Sequence, residues 1–124
     1  MLIPYKKEYE KIAMGLLSFM PGEKKVQKIQ QTIDHYRASN SWHLYLWRNE
    51  DGRFVGVVGV EESDDCVYLR DLTVDPSYRN EGIANKMVKD TEVLWKTELT
   101  GTTTTHYFLE HCKEKDKHEK KGES

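Results

Sequence analysis

Apolar residues recur along the chain at two different spacings, and these spacings divide it into helices and strands. An apolar residue at every third or fourth position, as at Ile12, Ala13, Leu16 and Leu17, is typical of one face of a helix. Runs of β-branched and aromatic residues bounded by turn residues are typical of strands. The chain contains both patterns, so we predict an α/β (α+β) fold.

The N-terminal part of the chain is predicted to form one strand and two helices. The strand covers Met1–Lys6, and the first helix runs from about Glu8 to Phe19. Met20-Pro21-Gly22 interrupts the helical pattern, because proline and glycine both disfavour a helix interior. A second helix is predicted over Glu23–Arg37, where apolar residues return to helical spacing.

Three strands follow, and we predict that they form an antiparallel meander. They cover His43–Trp47, Phe54–Val60 and Val67–Val74. An Asn-Glu-Asp-Gly segment between the first two is a strong turn signal and predicts a hairpin. Gly56 and Gly59 would weaken a strand interior, so we expect them to lie under a closely packed helix.

The segment after the third of these strands has the features of a phosphate-binding loop. Asp75–Ser77 ends the strand in a turn, and a helix with apolar residues at helical spacing runs from Gly82 to near Glu98. Unpaired N–H groups at a helix N-terminus attract phosphate oxygens, and Gly82 allows a close approach. Arg79 adds a planar, permanent charge. The alternative is an ordinary strand-loop-helix corner in which the glycine only eases the turn.

The remainder of the chain is predicted to add one strand and one helix. Gly101–Thr104 is interpreted as a short fifth strand, and Thr105–Cys112 as a last helix. Residues Lys113–Ser124 alternate lysine with acidic residues and contain no apolar side chain, so we interpret them as a charged tail. We therefore predict one domain at 1–112 followed by a tail at 113–124.

Composition and charge exclude several classes of function. The net charge of −2 and the pI near 6.2 leave no basic field for nucleic acid. No stretch approaches the ~20 apolar residues that span a bilayer, and the N-terminus lacks a signal-peptide core, so we expect a cytoplasmic protein that binds no membrane. Cys66 and Cys112 are expected to be free thiols. His106 and His111 are five residues apart and leave one helix face, so we expect no metal site.

The loop and its surroundings resemble a known family. Arg-x-x-Gly-x-Ala, following a strand that ends Leu-Thr-Val-Asp-Pro, is similar to motif A of the GNAT family of N-acetyltransferases. The order of predicted elements over residues 1–112 is similar as well. The opening residues also resemble a group of small acetyltransferases that some Gram-positive bacteria encode with their riboflavin-synthesis genes.

The resemblance implies a mixed sheet flanked by helices, with acetyl-CoA as cofactor. The implied cofactor-binding residues lie on the third meander strand and in the loop after it: Leu72, Thr73, Val74, Arg79, Asn80, Glu81, Gly82, Ile83, Ala84 and Asn85.

This chain also departs from the family pattern. Family members usually carry two more strands after the last helix, so we expect the fold to be truncated at its C-terminal end. They commonly begin that helix with Asn-x-x-Ala-x-x-Phe-Tyr, where the tyrosine protonates the departing thiolate. Aligning Phe108 with the family phenylalanine places Thr102 at the asparagine position and Leu109 at the tyrosine position. Tyr107 is then the nearest substitute for the acid.

The catalytic candidates follow from what acetyl transfer requires. By resemblance, a backbone N–H near Leu72 polarises the thioester carbonyl. The acceptor amine must lose a proton to a base, for which Asp71 and Glu61 or Glu62 are candidates. Tyr107 is the candidate acid, although water could also protonate the thiolate. Each carboxylate could instead be an ordinary surface acid, and Tyr107 could serve only helix packing.

Three functions remain open at this stage. The first is an acetyl-CoA-dependent N-acetyltransferase that acts on the amine of a small molecule or protein by direct attack in a ternary complex. The second is a non-catalytic acyl-CoA-binding or regulatory domain, and the third is an interaction module that binds another phosphate. The acceptor pocket is expected near Phe19–Gly22. A homodimer is possible, because a sheet ending at the fifth strand has an open edge.

Overall fold

The computed structural model describes residues 1–20 and 25–112 of the 124-residue chain. These residues form a five-stranded sheet with helices on both faces. The strands are β1 (Leu2–Pro4), β2 (Trp42–Arg48), β3 (Phe54–Glu62), β4 (Val67–Val74) and β5 (Leu99–Gly101). The helices are α1 (Glu10–Leu17), α2 (Val26–Ala38), α3 (Ile83–Trp95) and α4, which is described from 106 to 112.

The strands lie in the sheet in the order of the sequence, and the predicted mixed sheet is confirmed. Each of the pairs β1–β2, β2–β3 and β3–β4 is antiparallel. The connection through α3 makes β5 parallel to β4. The predicted turn between β2 and β3 is present, since the side chain of Asn49 accepts the N–H groups of Asp51 and Arg53 at 3.0 and 2.9 Å.

Each face of the sheet carries its own hydrophobic core. α1 and α2 cover one face, where Ala13, Ile33 and Leu46 are fully buried. α3 and α4 cover the other face, where Leu69 and Met87 are fully buried. Because both faces are covered, β3 is an almost continuous run of buried residues rather than an alternating one.

The two glycines of β3 lie under helices, as predicted. A Cβ atom on Gly56 would lie 2.8 Å from the sulfur of Met87 in α3. A Cβ atom on Gly59 would lie 2.0 Å from the hydroxyl oxygen of Tyr36 in α2. A side chain at either position would therefore displace the side chain that packs on the glycine, Met87 at Gly56 and Tyr36 at Gly59.

The predicted position of the fifth strand is wrong. β5 covers Leu99–Gly101 instead of Gly101–Thr104, because Leu99 is buried against the core while the threonines that follow bind their own backbone. α3 also ends earlier than predicted. Lys96 takes a left-handed conformation, with φ of 56°, that terminates the helix.

Some predictions fall on residues outside the described ranges. The interruption at Pro21 and Gly22, the predicted start of α2 at Glu23 and the charged tail from 113 to 124 are among them. Within the described ranges, the structure contains no helix that is long and apolar enough to cross a membrane.

Candidate active site

The most prominent feature of the sheet is a fork between β4 and β5. The two strands pair only from Val67 opposite Leu99 to Leu69 opposite Gly101. β4 then continues to Val74, whereas the chain after Gly101 turns away into α4. Along the described chain, no strand covers this edge of β4 beyond Leu69, so its backbone groups there can bind a ligand.

A cavity of about 360 Å³ opens at this fork, and we call it the fork pocket. Its walls come from the end of α1, the second half of β4, the loop and first turn of α3, and one face of α4. The lining residues are Phe19, Leu72, Thr73, Val74, Tyr78, Arg79, Asn80, Gly82, Ile83, Ala84, Asn85, Phe108, His111 and Cys112.

The N-terminus of α3 opens into the fork pocket without a side-chain cap. Gly82 is the N-cap residue in a left-handed conformation with φ of 75°, and no side chain caps the first turn. The first turn also contains no acidic residue. Apart from Gly82 itself and its chain neighbours, no atom of the described residues lies within 4 Å of the place where a Cβ of Gly82 would sit. The positive end of the α3 dipole therefore faces open space.

The loop before α3 is held in shape by short-range hydrogen bonds. The carboxylate of Asp75 accepts the N–H of Ser77 at 2.9 Å, which completes the predicted Asp-Pro-Ser turn. Arg79 donates from Nε to the carbonyl of Val74 at 3.2 Å, which holds the guanidinium close to the end of β4. Asn80 also has a positive φ, of 71°. The loop therefore places a cation at the pocket beside the helix N-terminus.

Thr73 supplies a buried polar group on the strand side of the fork pocket. The residue is 5% exposed, and its hydroxyl has no hydrogen-bond partner among the described residues. A buried hydroxyl without a partner costs free energy, so this group is a candidate to bind a ligand.

α4 turns three side chains toward the fork pocket: Phe108, His111 and Cys112. They are spaced i, i+3 and i+4, which places them on one helix face. Leu109 is 4% exposed and packs in the core, so it does not line the pocket. Tyr107, the candidate acid, is 81% exposed and is not among the lining residues.

The candidate base Asp71 lies at the start of the uncovered edge of β4, on the face covered by α1 and α2. Its carboxylate accepts a hydrogen bond of 2.5 Å from the hydroxyl of Tyr36. Burial raises the pKa of Asp71, and the hydrogen bond from Tyr36 and the charge of Arg70 offset that rise only in part. Burial likewise raises the pKa of Tyr36, with the charge of Asp71 adding to the rise. Tyr36 is therefore a permanent hydrogen-bond donor to Asp71.

Glu61, another candidate base, is occupied by an ion pair. Its carboxylate accepts two hydrogen bonds from the guanidinium of Arg70, from Nε at 2.7 Å and from the nearer terminal nitrogen. Arg70 also stacks between Trp42 and Tyr68, at 5.0 and 5.4 Å from their ring centres. The Glu61 carboxylate is therefore already paired with a cation. Glu62, the other alternative, lies 3.8 Å from His43 at the exposed end of β3.

The fork pocket brings together nine of the ten predicted cofactor-binding residues, and only Glu81 is not in its lining. Asp71, Glu61 and Tyr107 do not line it either. Sequence reasoning did not assign Tyr78, His111 or Cys112 to the site. The helical spacing of Phe108, His111 and Cys112 was the available signal. No group of three His, Cys, Asp or Glu side chains that could hold a metal ion occurs within residues 1–20 and 25–112.

Comparison with known sequences identifies relatives over most of the chain. The model of the acetyltransferase (GNAT) family matches residues 9–116. An uncharacterised N-acetyltransferase encoded in the lysA 3′ region of Bacillus methanolicus is 42% identical over 114 residues, covering 90% of this chain and 94% of that protein.

Solved structures share the fold at low sequence identity. An aminoglycoside antibiotic 6′-N-acetyltransferase from Acinetobacter haemolyticus superposes with a TM-score of 0.73 at 15% identity, over 94% of this chain and 88% of that one. A GNAT family acetyltransferase from Elizabethkingia anophelis, solved with acetyl-CoA bound, has a TM-score of 0.59 at 22% identity, over 77% of this chain and 57% of that one.

Proposed function

The chain belongs to the acetyltransferase (GNAT) family, and we propose that it transfers the acetyl group of acetyl-CoA to an amine of a small molecule or protein. The observation that carries this proposal is the fork pocket. There an uncapped helix N-terminus, an uncovered strand edge and the buried hydroxyl of Thr73, which has no partner among the described residues, share one cavity.

The chain's residues fit the charged part of acetyl-CoA. Phosphate oxygens would accept hydrogen bonds from the first-turn N–H groups of α3, which no side chain caps. The open space at Gly82 allows the backbone to approach them closely. Arg79 lies beside the same helix end and would add a charge-assisted contact. We propose that Arg79 to Asn85 form this subsite.

The uncovered edge of β4 fits the amide-bearing arm of the cofactor. Leu72, Thr73 and Val74 line the fork pocket on this edge, and their backbone groups can pair with amides as a neighbouring strand would. When bound, acetyl-CoA supplies the acetyl group as a reactive thioester. We propose that a backbone N–H near Leu72 polarises its carbonyl oxygen.

For the amine proton, we propose Asp71 as the base. As the amine nitrogen forms the new bond to the acetyl carbon, the carbon–sulfur bond breaks, and the amine loses one proton. The buried Asp71 is a stronger base than a solvated aspartate, because burial raises its pKa. Tyr36 keeps the carboxylate in place through its hydrogen bond. The ion pair with Arg70 makes Glu61 the weaker candidate.

For the leaving group, we propose that solvent provides the proton to the sulfur. Tyr107 was the candidate acid on sequence grounds. However, its side chain is exposed and is not among the residues that line the fork pocket. A thiolate is also a good leaving group, so the reaction requires less help from an acid at this point than an alkoxide would.

Release of free thiol from acetyl-CoA tests the proposal against a non-catalytic acyl-CoA-binding role. Neamine, spermidine and a lysine-containing peptide are suitable probes, because related structures carry aminoglycoside and spermidine N-acetyltransferase names. Amine-dependent thiol release supports the enzyme. The other outcome is that the protein binds acetyl-CoA yet releases thiol no faster with any of these amines, or with a wider panel of primary amines, than without an amine. That result would support the non-catalytic binding domain.

Calorimetry separates both of these functions from a module that binds some other phosphate. We expect CoA to bind more tightly than ATP or NAD, because only CoA has an arm that can pair with the β4 edge. Equal affinity for all three would mean that the loop recognises phosphate alone.

We also propose a homodimer, on the basis of the sheet edge. β5 has only three residues, and no further strand lies beside it in the described chain. An open edge of this kind is commonly covered by another element or a second copy. Light scattering at high micromolar concentration should show twice the monomer mass of 14.6 kDa. A monomeric mass would count against the dimer.

A further inference from the structure

A single buried hydroxyl group joins the two sides of the fork. Thr105 is 3% exposed and lies between β5 and α4. Its hydroxyl donates a hydrogen bond of 2.7 Å to the carbonyl of Leu69, which is the last residue of β4 that pairs with β5. The same oxygen accepts the N–H of Thr102 at 2.9 Å. The Thr105 hydroxyl thus binds β4 at the point where the pairing of β4 with β5 ends.

The turn that presents Thr105 is held by a second threonine. The hydroxyl of Thr102 accepts the N–H groups of Thr104 and Thr105 at 3.2 and 3.3 Å. The carbonyl of Thr102 accepts the N–H of His106 at 2.8 Å, which begins the helical bonding of α4. The turn from 102 to 105 and the first residue of α4 are therefore one hydrogen-bonded unit.

This unit fixes α4 relative to the sheet. A Cβ atom on Gly101 would lie 2.7 Å from the Cα of His106, so the start of α4 packs directly on the end of β5. α4 carries one wall of the fork pocket, which includes Phe108 and His111, while Leu72 lies in the opposite wall. The bond from Thr105 to β4 is a hydrogen bond that ties these two walls together at the closed end of the fork.

We propose that Thr105 is a positioning residue that sets the distance between β4 and α4 and thereby the affinity of the fork pocket for CoA. This inference rests on the proposed function for its ligand. Thr105 acts through the carbonyl of Leu69 and through the start of α4, and it has no contact with the ligand itself. Without the hydroxyl, that carbonyl is buried without its partner, and α4 shifts to admit water or closes onto the strand.

The test compares three variants of the full chain. Thr105→Val removes the hydroxyl at nearly constant volume, and Thr105→Ser keeps it. Thr91→Val is the matched control, because Thr91 is 0% exposed and its hydroxyl donates at 2.7 Å to the carbonyl of Met87 within its own helix. Calorimetry gives the affinity for CoA, urea denaturation gives stability, and amide hydrogen exchange without ligand gives the mobility of residues 106–112.

We expect Thr105→Val to weaken CoA binding by at least about tenfold, with Thr105→Ser and Thr91→Val within about threefold of the unaltered protein. Amides at 106–112 should exchange faster in Thr105→Val than in Thr91→Val. Equal loss of affinity in the two valine variants, or unchanged exchange in α4, would overturn the inference. If the unaltered protein binds no CoA, the proposed function fails, and the exchange comparison alone decides whether the hydroxyl holds α4.

A further variant covers the case in which Thr105→Val does not fold. Thr102→Val removes the hydroxyl that holds the turn but keeps the bond between Thr105 and Leu69. It should weaken CoA binding by more than the roughly threefold limit set for the controls and speed exchange at 106–112. Unchanged affinity and exchange in this variant would count against the inference.

Discussion

At the scale of single residues, the raised pKa of the buried Asp71 carboxyl can be tested without a substrate. Burial raises its pKa in the folded protein, so folding favours the protonated form. Below about pH 4 the Asp71 side chain is protonated in the unfolded protein as well, and there its contribution to the free energy of unfolding is complete. This contribution is lost as the pH rises through the raised pKa of Asp71 in the folded protein.

Asp71→Asn should therefore gain stability relative to the unaltered protein between about pH 4 and pH 7. The amide oxygen can still accept the hydrogen bond from Tyr36, so the packing is retained. Urea denaturation of both proteins at the two pH values gives the comparison. A stability difference that does not change with pH would show that Asp71 ionises as it does in the unfolded chain.

Single residues also show what a local pattern can predict. The proposed phosphate loop is contiguous in sequence, and its prediction follows from a glycine and an arginine next to a helix start. Of the residues from Arg79 to Asn85, all but Glu81 line the fork pocket, whereas their role toward a ligand stays a prediction. The hydrogen bonds of Asp71 with Tyr36 and of Glu61 with Arg70 join different elements of the fold. A local sequence pattern therefore cannot predict them.

At the scale of elements, α4 shows how the orientation of a helix limits such predictions. Its predicted start at Thr105 is close to the observed start at 106. The face that it turns to the site was not predicted, because alignment with the family tyrosine pointed to Leu109. Leu109 packs in the core, and the pocket-lining face begins at Phe108.

This orientation leads to a clear expectation for Tyr107→Phe. Turnover should stay within about twofold of the unaltered enzyme, because the tyrosine hydroxyl lies on the exposed face of α4. Steady-state kinetics with acetyl-CoA and an active amine measure it. A loss of about tenfold in turnover with unchanged CoA affinity would instead restore Tyr107 as the general acid.

The close packing of α2 on β3 leads to a second prediction, which concerns stability. Gly59→Ala should destabilise the protein by about 1–3 kcal/mol, because the new methyl group would overlap the ring of Tyr36. Gly15→Ala is the control. Gly15 lies inside α1, and outside its own helix backbone and chain neighbours no atom of the described residues lies within 4 Å of a new Cβ, so alanine there should add about 0.5–1 kcal/mol of stability.

Urea denaturation midpoints of the two alanine variants decide this question. A midpoint for Gly59→Ala that equals or exceeds that of the unaltered protein would mean that α2 does not pack as closely on β3 as the structure shows.

At the scale of the whole molecule, the order and type of the elements could be predicted because each has a strong periodic pattern. The residue at which β5 ends could not be predicted from the sequence. Leu99 and the threonines after it are both suited to a strand, and only the burial of Leu99 and the hydrogen bonds of Thr102 and Thr105 decide where β5 ends. That end point creates the fork, so the central feature of the site was visible only in the folded molecule.

The candidate site therefore combines a feature that is local in sequence with one that arises only from the fold. The loop between β4 and α3 is a local motif, whereas the fork arises because β5 leaves β4 after Leu69 and α4 takes its place. We propose that both act on one ligand, with its phosphates at the N-terminus of α3.

Calorimetric titration of CoA into Gly82→Asp and Gly52→Asp tests this claim most directly. Both glycines have a positive φ, of 75° and 80°, and both have open space at the Cβ position, so the two variants carry the same backbone strain. Gly52 lies in the turn between β2 and β3, outside the fork pocket. We expect Gly82→Asp to weaken CoA binding by at least about tenfold, because its carboxylate repels the phosphates, and Gly52→Asp to bind CoA as the unaltered protein does. Equal affinity of two folded variants would contradict the assignment of the α3 N-terminus as the phosphate site.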